Sequence, residues 1–227
     1  LEKLDHSKIK GLENIGKRFL NQSFDPQNQY SIPYFWGTLG IVYNTELVKT
    51  APKHWSDLWR PEYKNSIMMI DGAREVMGVG LNALGYSLNS KNTKQLQEAV
   101  DKLYTLTPNI KAIVADEMKG YMIQNNAAIG VSFSGEARQM LEKNDKLRYV
   151  VPTEASNLWF DNIVIPKTVK NKKAAYQFIN FMLRPENAYK NALYVGYSTP
   201  NMPAKAMLPK EIQEDKAFYP DEETMKH

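Results

Sequence analysis

Short apolar runs separated by longer amphipathic segments set the rhythm of this chain. "YFWGTLGIVYN" (34–44), "SIMMID" (66–71), "AAIGVSF" (127–133), "LRYVVP" (147–152) and "FDNIVIP" (160–166) have the length and residue types of strands. Between them lie segments with helical spacing. In "NTKQLQEAVDKLYTLTP" (92–108), Leu96, Val100 and Leu103 recur on one face, with Leu106 near it. Thr93 is the expected cap of that helix and Pro108 its stop. "AREVMGVGLNALG" (73–85) reads as a helix ending at Gly85. "GEARQMLEK" (135–143), "KKAAYQFINFMLR" (172–184), "PENAYKNALYV" (185–195) and "PKEIQED" (209–215) follow. In 172–184 the expected core face is Ala175, Phe178, Ile179 and Met182. "APKHWSDLWRPEY" (51–63) predicts a short helix capped by Ser56 and stopped by Pro61. Residues 24–33 and 196–201 have loop chemistry. Strands alternating with helices predict α/β layers with largely parallel pairing.

One strand carries an unexpected pair. In "NLWFDNIVIP" (157–166), Trp159 and Asp161 are two residues apart, so their side chains share a face. The bland reading is a strand end with a solvated carboxylate. The sharper one is a pocket for a cation, which an aromatic face attracts and a carboxylate pairs.

Composition narrows the chemistry. The 227 residues suit one large domain or two small ones, and 43% hydrophobic with 24% charged residues is ordinary globular composition. No run of apolar residues is long enough to span a membrane as a helix. The absence of cysteine excludes disulfides, cysteine nucleophiles and thiolate metal sites. Histidines at 6, 54 and 227 form no metal-binding pair. The net charge of +4 comes from scattered basic residues. The longest basic cluster, "KTVKNKK" (167–173), reads as a solvated helix start, so no nucleic-acid partner is expected. "GVSFSG" (130–135) misses the G-x-S-x-G spacing of a nucleophile elbow, and no glycine pair matches a phosphate loop. An enzyme has no anchor here, and no cofactor is implied.

Aromatic residues do gather at strand ends and loops. Tyr34, Phe35 and Trp36 precede Gly37, Phe133 ends a strand, and Tyr197 follows a loop glycine. Asp71 ends another strand, with Glu75 one turn further on. Carboxyl ends of strands form the ligand crevice in α/β sheets.

Six stretches extend this reading. "YSIPYFWGTLGIVYN", "WSDLWRPEYKNSI", "DGAREVM", "LWFDNIVIP", "INFMLRPENA" and "GYSTPN" resemble, in order and spacing, the bacterial spermidine/putrescine-binding proteins, the extracytoplasmic receptors of polyamine ABC importers. The resemblance covers the whole chain. It implies a type II periplasmic-binding-protein-like α/β fold: two lobes, a ligand cleft between them, and crossing strands "GTLGIVYN" and "FDNIVIP". Residues 1–45 and 162–227 would form lobe one and 46–161 lobe two. Trp159, Asp161, Glu75, Phe133 and Tyr197 match the family's ligand residues; Trp36 and Asp71 join them by position. The family's spermidine binder has an aspartate before "ARE", where this chain has Gly72. Members also extend beyond both ends of this chain, so lobe one is expected to lack its first strands. The resemblance implies a polyamine ligand, membrane permease subunits as partners, a monomer, and a periplasmic or lipoprotein location. A receptor of this fold for a sugar or an iron complex is the alternative reading.

Overall fold

The computed structural model describes residues 1–221. They form two compact units: residues 1–37 with 159–215, and residues 38–158 with 216–221. The boundaries expected from the sequence were 45/46 and 161/162. The first boundary in the structure falls inside strand β1, Ser31–Asn44, between Gly37 and Thr38. A strand shared by two units shows no change in composition where it passes from one to the other.

The second unit is built around a sheet. After β1 come 3₁₀ turns at Trp55–Trp59 and Pro61–Tyr63, then β2 (Ile67–Ile70), helix α1 (Ala73–Ala83) and helix α2 (Thr93–Tyr104). β3 (Ile110–Val114), α3 (Glu117–Ile123), β4 (Ile129–Phe133), α4 (Ser134–Lys143) and β5 (Leu147–Val150) complete it. The strand order is β3-β2-β4-β1-β5. β2 runs parallel to β3 and β4, but β1 runs antiparallel to β4 and β5. The sheet is therefore mixed, not largely parallel as expected. β1 enters the sheet from the other unit, and its direction is not dictated by a strand–helix–strand crossover.

Alternation sorts this sheet into two faces. Leu39, Ile41, Ile67, Met69, Ile129 and Val131 face one way, against Trp55, Leu58, Val79 and Leu106. Val42, Met68, Leu147 and Tyr149 face the other way, against Met118, Met122, Ala137 and Met140. The period of two along each strand thus produces a core on both sides. Tyr149 is buried, and its hydroxyl lies 3.1 Å from both Oγ1 and the carbonyl of Thr38. Burial pushes its phenol far above the ordinary tyrosine range, so it stays protonated.

Gly40 makes this packing possible. A Cβ there would sit 2.5 Å from both Cζ of Tyr149 and the carbonyl oxygen of Val150. The oxygen belongs to the paired strand β5 and cannot swing away. Gly40→Ala is expected to lower stability by about 1–3 kcal/mol through overpacking. Urea denaturation checks this, and an unchanged midpoint would show that β5 shifts freely.

Several local expectations are corrected. Residues 51–63 form 3₁₀ turns, not one helix, and Ser56 is not the cap. Asp57 Oδ2 instead accepts from Lys53 N–H at 2.7 Å and His54 N–H at 3.0 Å. Arg60, preceding Pro61, is extended (φ −61°, ψ 133°), as a residue before proline prefers, and this breaks the segment. α2 is capped by Asn92, whose side chain accepts from Lys94 N–H at 2.9 Å, and not by Thr93. α1 ends as expected: Gly85 is left-handed (φ +73°), and Tyr86 N–H reaches back to the Leu81 carbonyl at 2.9 Å.

In the first unit, turns of residues 1–30 lie ahead of β1. β6 (Leu158–Val164) pairs with β1 and leads to α5 (Lys172–Met182), α6 (Pro185–Val195), α7 (Met202–Met207) and α8 (Lys210–Gln213). α5 holds the N-terminal segment: Tyr176 Oη accepts from Asp5 N–H at 2.8 Å, and Asn180 Oδ1 accepts from Lys10 N–H at 2.8 Å. This contact turns the helix so that Tyr176 and Ile179 are buried, while Phe178 is 56% exposed and leaves the expected core face.

Candidate functional site

The predicted site residues divide between the units. Trp36, Trp159, Asp161 and Tyr197 lie in the first; Asp71, Glu75 and Phe133 lie in the second.

In the first unit, β6 sorts its residues by alternation. Phe160 turns toward Phe19 and Phe24, with ring centroids 6.2 and 6.4 Å away. Trp159 meets Tyr197 edge to face at 4.9 Å. Tyr197 is delivered by the end of α6, where Gly196 (φ +87°) is left-handed and reverses the chain. The next residue, Ser198, then bridges Trp36, accepting its N–H at 3.1 Å. Tyr197 also lies 6.0 Å from Phe35.

Asp161 is exposed on the same strand. Among the described residues, no hydrogen bond or ion pair is formed by its side chain. Partial burial of the carboxyl group raises its pKa above the usual carboxylate range. Its charge is felt by Tyr34, whose phenol is pushed up by burial first and by Asp161 second. Tyr34 is thus a member of this group, although the sequence did not place it among the ligand residues. Its signal was present, since it opens the aromatic run before Gly37, but only β1–β6 pairing associates it with Asp161.

Trp36 has a different setting. It is 3% exposed and packs on Phe19 at 5.2 Å, with the Arg18 guanidinium 5.9 Å from its ring. The structure places it with the Phe19 group.

In the second unit, the parallel register setting Ile67 beside Ile129 brings the ends of β2 and β4 to one sheet edge. Asp71 follows β2 there, exposed, its N–H donating to the Val114 carbonyl at 2.9 Å. Phe133 ends β4, half-buried against the apolar core. Glu75 occupies the first turn of α1, where a carboxylate suits the helix dipole. Its carboxylate lies against Gly72, the residue preceding α1. This edge is where α/β sheets take ligands, and its candidate groups are anionic or aromatic. Among the described residues no His/Cys/Asp/Glu group could hold a metal ion, and no helix is long and apolar enough to cross a membrane.

Residues 1–220 match the family of bacterial extracellular solute-binding proteins, and the chain belongs to it. Within that class it is similar to proteins named for polyamines. It is 38% identical over 227 residues to the spermidine/putrescine-binding periplasmic protein of Salmonella typhimurium, covering 99% of this chain and 65% of that protein. It is 39% identical over 228 residues to the protein of the same name from Escherichia coli, covering 100% of this chain and 66% of the relative. The chain thus spans 65–66% of the length of these relatives. Among solved structures it is similar to the spermidine/putrescine ABC transporter substrate-binding protein PotD from Streptococcus pneumoniae. That match has a TM-score of 0.91 and 78% identity over 99% of this chain and 70% of that one. A lipoprotein of Treponema pallidum matches at TM-score 0.83 and 27% identity, over 90% of this chain and 66% of that one. The fold is that of periplasmic binding proteins, as the sequence resemblance implied.

Proposed function

We propose that this chain binds a polyamine, spermidine or putrescine, outside the cytoplasm and delivers it as a monomer to a membrane permease, with no chemical step of its own. The observation that carries the reading is the Asp161 carboxylate. It is partly desolvated and has no cation of its own among the described residues, and it stands on the strand that presents Trp159 to Tyr197. A polyamine alternates ammonium groups with methylenes. Carboxylates pair the first, while aromatic faces bury the second at roughly 25 cal/mol per Å² and also attract the charge. Trp159 and Tyr197 would line the stem, and Asp161 would pair an amine. Within the second unit, Asp71, Glu75 and Phe133 offer the same two chemistries, carboxylate and aromatic face. The relatives named for spermidine and putrescine support this choice over a sugar, whose site would surround its aromatic plates with neutral groups.

Isothermal titration with spermidine, putrescine, maltose and ferric citrate tests the reading. It is run on the chain alone and on the Streptococcus pneumoniae protein carrying this chain in place of its matching segment. Saturable heat with a polyamine only is expected. A chimera that binds maltose or ferric citrate, and neither polyamine, would overturn it.

Gly72 bears on the choice of amine. Gly72→Asp would supply the missing side-chain cap of α1 and place a second carboxylate beside Glu75, which must rotate to admit it. The variant is expected to favour the more highly charged spermidine over putrescine by about 3- to 10-fold relative to the parent. Competition titration reads that ratio; a ratio that moves toward putrescine would count against Glu75 as an amine ligand.

A further inference from the structure

A cavity of about 400 Å³ lies wholly within the second unit, between the loop after α1 and residues 154–158. That volume is in the range of small-molecule sites. The loop is pinned on all sides. Gly85 is left-handed, Tyr86 Oη donates to Glu98 at 2.5 Å, Ser87 Oγ accepts from Asn89 N–H at 3.2 Å, and Arg74 donates to Asn89 Oδ1 at 2.9 Å.

Acceptors in the wall call for a donor. Asn82 is 3% exposed, and its Nδ2 donates to the Ala155 carbonyl at 3.4 Å. That bond fixes the amide orientation, because the reverse would set two carbonyl oxygens together. Its Oδ1 is then a buried acceptor with no protein partner. A buried acceptor left alone is destabilising, so such groups signal a bound donor. Glu154 is the one charged side chain among the described residues lining the cavity. Its Oε2 accepts from Trp55 N–H at 3.2 Å and lies 3.5 Å from His54 Nδ1. Ser156 donates its hydroxyl proton to the Leu39 carbonyl, so its free lone pairs also accept.

We propose that this cavity binds a small organic amine through its ammonium group, with Asn82 Oδ1 and Glu154 as acceptors and Leu88 and Leu158 against the carbon chain. The ligand class follows from the wall: acceptors, one negative charge, no lysine or arginine, and a volume too large for a bare ion. The site is distinct from the Asp161 group and does not rest on the polyamine reading. β6 connects it to that group along the chain, and its first residue, Leu158, lines the cavity.

The test is a nuclear magnetic resonance titration with n-butylammonium chloride in the Asp161→Asn background, so that the Asp161 group makes no contribution. Saturable shifts are expected in the Asn82 side-chain amide and the Gly85 and Ser87 backbone amides. Glu154→Gln should weaken binding about tenfold. Ser87→Trp, at an exposed loop position, should block entry without touching the acceptors. Retained shifts in both variants would overturn the proposal, as would no saturable shift in the parent. Sodium chloride producing the same shifts would assign the site to a simple cation and overturn it equally.

Discussion

Asp161→Asn is expected to lose polyamine affinity by about 2–4 kcal/mol, roughly 30- to 800-fold, with little change in fold. The substitution preserves shape and removes the charge that would face a desolvated amine. The pH dependence has a definite sign. The folded carboxyl has a raised pKa because burial disfavours its charged form. Cation binding needs that charged form, so affinity should fall as pH drops through the raised pKa and level off above it. The Asn variant should lack this dependence. Stability moves the other way. A carboxyl whose folded pKa is raised loses stability as pH rises through its titration range, so the ligand-free variant should be no less stable than the parent at neutral pH. Titration calorimetry and denaturant unfolding of the same two proteins read both effects. Unchanged affinity would remove Asp161 from the site; reduced stability without ligand would mean that its carboxylate is structural.

The second large effect is expected at Asp25, which organises the entry to β1. Its Oδ2 accepts from Ser31 Oγ at 2.6 Å, Ser31 N–H at 2.8 Å and Tyr30 N–H at 3.0 Å, and its Oδ1 from Gln29 N–H at 3.0 Å. Asp25 is 6% exposed. Burial by itself would raise its pKa, but the Ser31 hydroxyl and the three backbone N–H groups outweigh burial and hold it below the usual value. Asp25→Asn turns one acceptor into a donor facing donors and removes the charge from the rest. A loss of about 2–4 kcal/mol is expected in the first unit. Because the folded pKa is depressed, this contribution is present above the unfolded carboxylate pKa and fades as pH falls through the folded one. Parent and variant should therefore converge in acid. Hydrogen exchange at the Tyr30 and Ser31 amides, followed against pH, checks both parts. Equal protection at neutral pH would show that the turn is held by other contacts.

Where apolar periodicity was strong, the chain announced its elements. α5, α6 and the end of α1 at Gly85 stand where spacing and capping chemistry put them. β3, α3 and α7 were not anticipated. β3 alternates half-buried and exposed positions, including Lys111 and Ile113, so it lacks the continuous apolar run of a central strand. α3 and α7 are only 7 and 6 residues long, too short for a helical period to repeat convincingly. Ser56 and Thr93 lie one or two positions inside their turns; the cap positions are His54, to whose N–H Asp57 reaches back, and Asn92.

By itself, the sequence determined the class of protein, the α/β composition and the sharing of one strand face by Trp159 and Asp161. All three follow from local periodicity or from long motifs that survive without three-dimensional information. Tertiary structure decided the antiparallel entry of β1, the burial of Trp36 against Phe19 and Arg18, the association of Tyr34 with Asp161, and the buried acceptor on Asn82. Each depends on which strand or loop lies alongside a residue. Pairing partners distant in sequence are chosen by the packing of whole layers, and no local pattern records that choice.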